Sequence, residues 1–189
     1  PRRITPMNIY YHFYIGEKDV SLASLEEAYR YAVSQNVIPL FTSDYVRVVK
    51  DFLKAEITCL EDGGWKFTHF GACRTIRIDK ENFYPDMDKS RGILGYTSWG
   101  KCTYVHLADG DETILYESQE ESKNPYVVAA TQPIHNPEIS RDLVRFASTG
   151  FDHGVLRLAN MAPGQQYLVK VYSDDREQEQ TGWVRAQSD

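Results

Sequence analysis

The chain has 189 residues, 42% hydrophobic and 25% charged, with a formal net charge of -6. That is ordinary globular material for one domain, or for one small domain plus a piece of another. The acidic balance argues against broad nucleic-acid binding, which draws on a basic excess to release counterions, and no run of about 18 apolar residues is present to span a bilayer as a helix. The opening Pro1-Arg2-Arg3 has neither an initiating Met nor the apolar core of a signal peptide, so the sequence reads as a fragment of a longer chain. Cys59, Cys73 and Cys102 show no C-x-x-C spacing. They read as small buried hydrophobes, with one disulfide plus a leftover thiol as the alternative in an oxidising compartment.

Thr5–Ile15 is apolar, aromatic and of strand length, bounded by Pro6 and Gly16. Period-two alternation puts Met7, Ile9, Tyr11, Phe13 and Ile15 on one face and Asn8, Tyr10, His12 and Tyr14 on the other. Bulky groups on both faces suit a strand covered on both sides, as in a parallel sheet. His12 would then stand near the C-terminal end of that strand, where α/β folds place their chemistry. Leu22, Leu25, Ala28, Tyr29, Ala32 and Val33 recur at helical spacing, which predicts a helix over 21–35 with Ser21 as cap. Val37 to Phe41 reads as a short strand. Thr42 or Ser43 then caps a second helix whose inward face is Tyr45, Val46, Val49, Phe52 and Leu53. The order β-α-β-α with a right-handed crossover makes the two strands parallel in one sheet.

The pattern changes near Ala55. Beyond it, short β-rich runs alternate with turn signals at roughly ten-residue spacing, the habit of a β-sandwich. The runs are 56–60, 65–70, 73–78, 92–97, 103–107, 113–117, 126–131, 143–148, 155–158, 166–173 and 182–186. Glu61-Asp-Gly-Gly64 and Ala108-Asp-Gly-Asp111 supply turns, and Arg74 and Arg77 are interleaved among apolar residues. Asp109, Asp111 and Glu112 read as an acidic turn, with calcium ligation as the alternative. Asp174, Asp175, Glu177 and Glu179 read as a solvated hairpin tip, or as an attractor for a cationic sugar polymer.

Asn8-Ile-Tyr-Tyr-His12, Ser21-Leu-Ala-Ser-Leu25 and Val37-Ile-Pro-Leu-Phe-Thr-Ser43 resemble the C-terminal end of the NodB-type polysaccharide deacetylase barrel. Together with Cys73-Arg-Thr-Ile-Arg-Ile78 and Ser90-Arg-Gly-Ile-Leu-Gly-Tyr96, the wording is similar to the C-terminal region of PelA-like polysaccharide deacetylases of biofilm (Pel exopolysaccharide) systems. The resemblance implies an α+β fold class. A C-terminal β-α-β-α segment of a (β/α) deacetylase barrel, residues 1–54, would be packed on a predominantly antiparallel β-sandwich, residues 55–189. It also implies periplasmic location, a polysaccharide of N-acetylated amino sugars as substrate, and a secretion-complex protein as a possible partner.

By the same resemblance His12 corresponds to the family's general acid toward the leaving amine, a role suited to a group that titrates near working pH. The family's divalent metal and carboxylate base are expected in the parent barrel. Their Asp-Asp and paired-His motifs are absent from this chain, so no cofactor is expected here. Phe13 stands where the family often has Asp. Tyr96, Trp99 and Tyr104, with Trp183, are candidates for an aromatic platform that stacks sugar rings. The alternative is that these rings belong to the sandwich core. An exposed aromatic pair would mark a glycan-binding module, and an exposed apolar patch without a groove a protein-docking one.

Overall fold

The computed structural model describes residues 6–35, 37–150, 154–173 and 176–187. It is an α+β structure of two helices and mostly antiparallel strands in small sheets. The chain divides into two compact units, Pro1–Pro39 and Leu40–Asp189. Among the described residues no helix is long and apolar enough to cross a membrane. Of the acidic tip, Asp174 and Asp175 lie outside the described residues, as do the side chains of Glu177 and Glu179.

In the first unit, the expected strand over 7–15 is not a strand. Residues 6–12 belong to no strand, and Phe13–Glu17 closes into a 3-10 turn whose Ile15 N–H donates to His12 O (3.0 Å). Helix α1 covers Asp19–Ser34, starting two residues before Ser21. Its half-buried positions are Ser21, Leu25 and Ala32, and Tyr29 meets Tyr11 edge-on. Residues 37–41 likewise form no second strand. The reason is the same in both places. A strand is held by a neighbour that takes up its N–H and C=O groups, and apolar patterning alone supplies none. The parallel β-α-β arrangement is therefore not formed, and Tyr10, Phe13, Ile38 and Phe41 are exposed.

In the second unit, α2 covers Thr42–Lys54. Its half-buried stripe is Asp44, Tyr45, Val48 and Asp51, whereas Val46, Val49, Phe52 and Leu53, expected inside, are exposed. Asp51 accounts for this rotation: its carboxylate accepts Ala72 N–H (2.9 Å), tying that stripe to the 70–73 loop. The strands follow as β1 Glu56–Cys59, β2 Trp65–Thr68, β3 Thr75–Ile78, β4 Tyr84–Pro85, β5 Ile93–Trp99, β6 Cys102–Leu107, β7 Glu112–Leu115 and β8 Glu117–Ser118. β9 Tyr126–Ala130, β10 Ile134–Ile139, β11 Val144–Ser148, β12 Leu156–Ala159, β13 Gln166–Ser173 and β14 Arg176–Arg185 complete the set. Two three-stranded sheets, β1-β2-β7 and β3-β6-β5, share one hydrophobic cluster of Phe67, Phe70, Phe83, Tyr96, Val105, Leu107 and Leu115. Alternation explains the sharing. Thr103, Val105 and Leu107 of β6 point in while Cys102, Tyr104 and His106 point out. The remaining pairs, β4-β8, β9-β12, β10-β11 and β13-β14, are two-stranded.

Strand β10 was not foreseen because Pro137 lies inside it. The register shifts between His135 and Glu138, and a bulge is where a sheet tolerates proline. The three cysteines are free thiols, and Cys59 is exposed rather than buried. Trp183 is 67% exposed on the β13-β14 ribbon, so it is not a core residue.

Candidate functional site

Strand register builds a surface on the outer face of the β3-β6-β5 sheet. Trp99 pairs with Cys102, Thr97 with Tyr104 and Gly95 with His106 across β5-β6. On the other side of β6, Arg77 pairs with Tyr104 and Thr75 with His106. Ile76 and Ile78 pack against the core, so Thr75 and Arg77 point outward with Tyr104. The three rows are thus Trp99 and Cys102, then Thr97, Tyr104 and Arg77, then Gly95, His106 and Thr75. Trp99 and Tyr104 are diagonal neighbours on one face, about 7–8 Å apart in an antiparallel pair and within reach of aromatic side chains.

In the third row Gly95 and His106 are covered while Thr75 stays exposed, and exposed Trp99 and Arg77 leave the first two rows open. Gly95 (φ +155°) lets β9 approach closely; an added Cβ would stand 2.6 Å from the Val127 nitrogen and nearer still to its carbonyl oxygen. His106 Nε2–H donates to Val128 O (2.9 Å), and burial lowers its pKa despite that bond. At the other end the two-residue turn Gly100-Lys101, with Gly100 at φ +61°, leaves Trp99 74% exposed. We refer to the open part as the shelf.

Its polar border is a hydrogen-bonded set. Asp79 Oδ1 accepts Arg77 Nε–H (2.6 Å) and the Cys102 thiol (3.1 Å). The Cys102 bond, then the Arg77 guanidinium, hold the Asp79 carboxyl below its usual range. A planar exposed indole, a phenol, a threonine hydroxyl and a paired guanidinium and carboxylate on one face can stack the C–H face of a ring and hydrogen-bond its rim.

Tyr96 is not part of this surface. It is 3% exposed, stacked on Tyr126 at 4.5 Å, and its hydroxyl accepts Ser122 N–H (3.4 Å), so it is a core residue. Trp99 and Tyr104 do share the outward face of the sheet, at diagonal positions of β5 and β6. Asp79 and Thr97 carry no mark of this surface in the sequence, and Arg77 stands out there only as a cation interleaved among apolar residues. The available signal was the outward parity of Arg77 within the apolar run 73–78.

His12 lies in the first unit, at the entry to the 3-10 turn rather than at the end of a strand. Its exposed ring stacks on Tyr14 (5.1 Å between centroids, 8° between planes) and meets Tyr10 edge-on at 5.3 Å. In the acidic turn, Asp109 pairs with Arg74 and accepts His135 Nδ1–H (3.0 Å), and Glu112 pairs with Lys66 (2.5 Å). These carboxylates are committed to neighbouring cations. Among the described residues no group of three or more His, Cys, Asp or Glu could hold a metal ion. The Asp-Asp and paired-His set that would hold a deacetylase's divalent metal is not brought together among the described residues.

Fold and site together define an α+β protein of small antiparallel sheets with an open aromatic shelf on one sheet face. No protein-family description, curated protein or solved structure matches the chain.

Proposed function

We propose that this chain is the C-terminal part of a periplasmic polysaccharide deacetylase of the Pel exopolysaccharide type, and that its strand-rich part holds the glycan on the shelf. The observation that carries the glycan reading is that exposed Trp99 and half-buried Tyr104 occupy diagonal positions on one sheet face, with Thr97 and Arg77 in the same face and Asp79 bonded to Arg77. In this reading residues 1–54 close a (β/α) barrel, and residues 55–189 form an accessory β-sandwich. The large exposed side chains at Tyr10, Phe13, Ile38 and Phe41 support a segment that requires further strands for cover. The backbone at His12 and Phe41 is already extended (φ -90°, ψ 138° and φ -66°, ψ 144°).

The parent reaction in this reading is metal-dependent hydrolysis of N-acetyl groups on an amino-sugar polymer. His12 would protonate the departing amine, and its exposed imidazole is accessible for that. A second reading, a structural domain that caps the barrel and docks a secretion component without binding glycan, is favoured by the exposed Val46, Val49, Phe52 and Leu53 on α2.

Calorimetric titration of the 189-residue chain with an N-acetylated amino-sugar oligomer separates the two. Saturable binding that Trp99→Ala weakens by about tenfold or more, roughly 1.4 kcal/mol, is the expected result. Absence of saturable binding favours the docking reading and removes the glycan one.

A further inference from the structure

The outward row nearest the β5-β6 turn locates the ligand within the shelf, given the glycan reading on which this inference rests. We infer that a sugar ring lies over Cys102, between the Trp99 indole and the Asp79 carboxylate, and that Asp79 Oδ2 is the acceptor that anchors its hydroxyls.

Cys102 points out of β6 and pairs directly with Trp99 of β5. On its other side the Cys102 thiol donates to Asp79 Oδ1 at 3.1 Å, so the carboxylate stands at the same level of the sheet, just past the end of β3. The row therefore reads indole, thiol, carboxylate. Its ends are two strand spacings apart, roughly 10 Å, and its middle is the smallest side chain of the three. The next row has the opposite profile, with bulky Tyr104 in the middle between Thr97 and Arg77. A ring seated over Cys102 thus has the indole on one side, the carboxylate on the other and the phenol along a third. Both hydrogen bonds that reach Asp79, from Arg77 Nε–H and from the Cys102 thiol, end on Oδ1. Oδ2 takes none among the described residues, and the side chain is 72% exposed. Those two bonds aim the carboxylate while leaving its second oxygen for a ligand, so less ordering is required on binding. The same bonds hold the carboxyl below its usual range, which keeps it ionised. An ionised carboxylate accepts hydrogen bonds from hydroxyls more strongly than a neutral oxygen does. The exposed indole supplies the flat apolar surface for the C–H face of the same ring.

The test uses the full 189-residue chain and an N-acetylated amino-sugar oligomer, with two independent readouts. In the unmodified chain, alkylation by N-ethylmaleimide is followed at each cysteine by peptide mass mapping. Oligomer at about ten times its Kd leaves about a tenth of the sites open, so the reaction at Cys102 should slow about tenfold while that at exposed Cys59 is unchanged. In titrations, Asp79→Asn keeps an oxygen for Arg77 and Cys102 and puts a donor where the free acceptor was. It should weaken binding about tenfold, the usual scale for a hydrogen bond to a charged group. Cys102→Ser keeps both the gap and a donor to Asp79 and should bind as the unmodified chain does, whereas Cys102→Leu fills the gap and should lose binding. Unchanged affinity in Asp79→Asn or in Cys102→Leu overturns this inference and leaves the glycan reading standing. So does alkylation of Cys102 at an undiminished rate with the oligomer bound. Absence of saturable binding to the unmodified chain overturns the glycan reading itself, and this inference with it. Asp79 is exposed and outside the core, circular dichroism of each variant checks that the fold is retained, and the alkylation readout requires no variant.

Discussion

Tyr96 and Trp99 are three residues apart on β5 and have opposite surroundings. An odd separation on a strand puts side chains on opposite faces, so one ring fills the core and the other faces solvent. Trp99, Thr97 and Tyr104 share a face because the two-residue turn sets the pairing of β5 with β6. His106, one row further, yields a prediction about pH. Its folded pKa lies below the usual 6.5, chiefly from burial. Between those two values the unfolded chain binds more protons than the folded one, so stability rises with pH there. This contribution is fully present above about pH 6.5 and is lost as the pH falls from there through the lower folded value. Urea midpoints should fall between pH 7.5 and pH 5, and His106→Gln should flatten the decline. An equal decline in the variant would assign the loss to other groups.

At the scale of elements, the close passage of β9 over the sheet depends on Gly95. A side chain there meets backbone atoms of Val127, which cannot rotate away, and the φ of +155° adds strain for an L-residue. Gly95→Ala should therefore destabilise the chain by about 2–3 kcal/mol, readable as a lowered denaturant midpoint with an unchanged slope. Gly100→Ala also has a positive φ but meets nothing within 4 Å, and should cost less. The strands of the β region were largely legible, because alternation and glycine turns are local signals. β10 was hidden by Pro137, since a bulge that accommodates proline has no sequence mark of its own. Helix α2 was legible as a helix, but its orientation was not. Apolar residues surround much of it, and the side that packs is chosen by Asp51 reaching the 70–73 loop.

At the scale of the whole molecule, the proposed function makes a statement about activity. The 189-residue chain should release no acetate from an N-acetylated amino-sugar oligomer, with or without added divalent metal, at a rate above a His12→Ala control. Acetate release above that control would show that the chain carries its own metal and base. In the complete parent protein, His12→Ala should lower kcat by about 10²–10⁴-fold while metal content is retained, as expected for loss of an acid that acts only at the leaving group. Full turnover in that variant would make His12 structural. The amino-acid sequence by itself determined the α+β class, the two helices, most of the antiparallel strands and the change of pattern near Ala55. Each of these follows from a local period or a turn residue. Tertiary structure alone decided that residues 7–15 and 37–41 are not strands, because a ladder needs a partner that patterning does not provide. It also decided that Tyr96 is core while Trp99, Tyr104, Arg77 and Asp79 meet on one open face. That meeting depends on the register between strands distant in sequence, set by packing around a shared core.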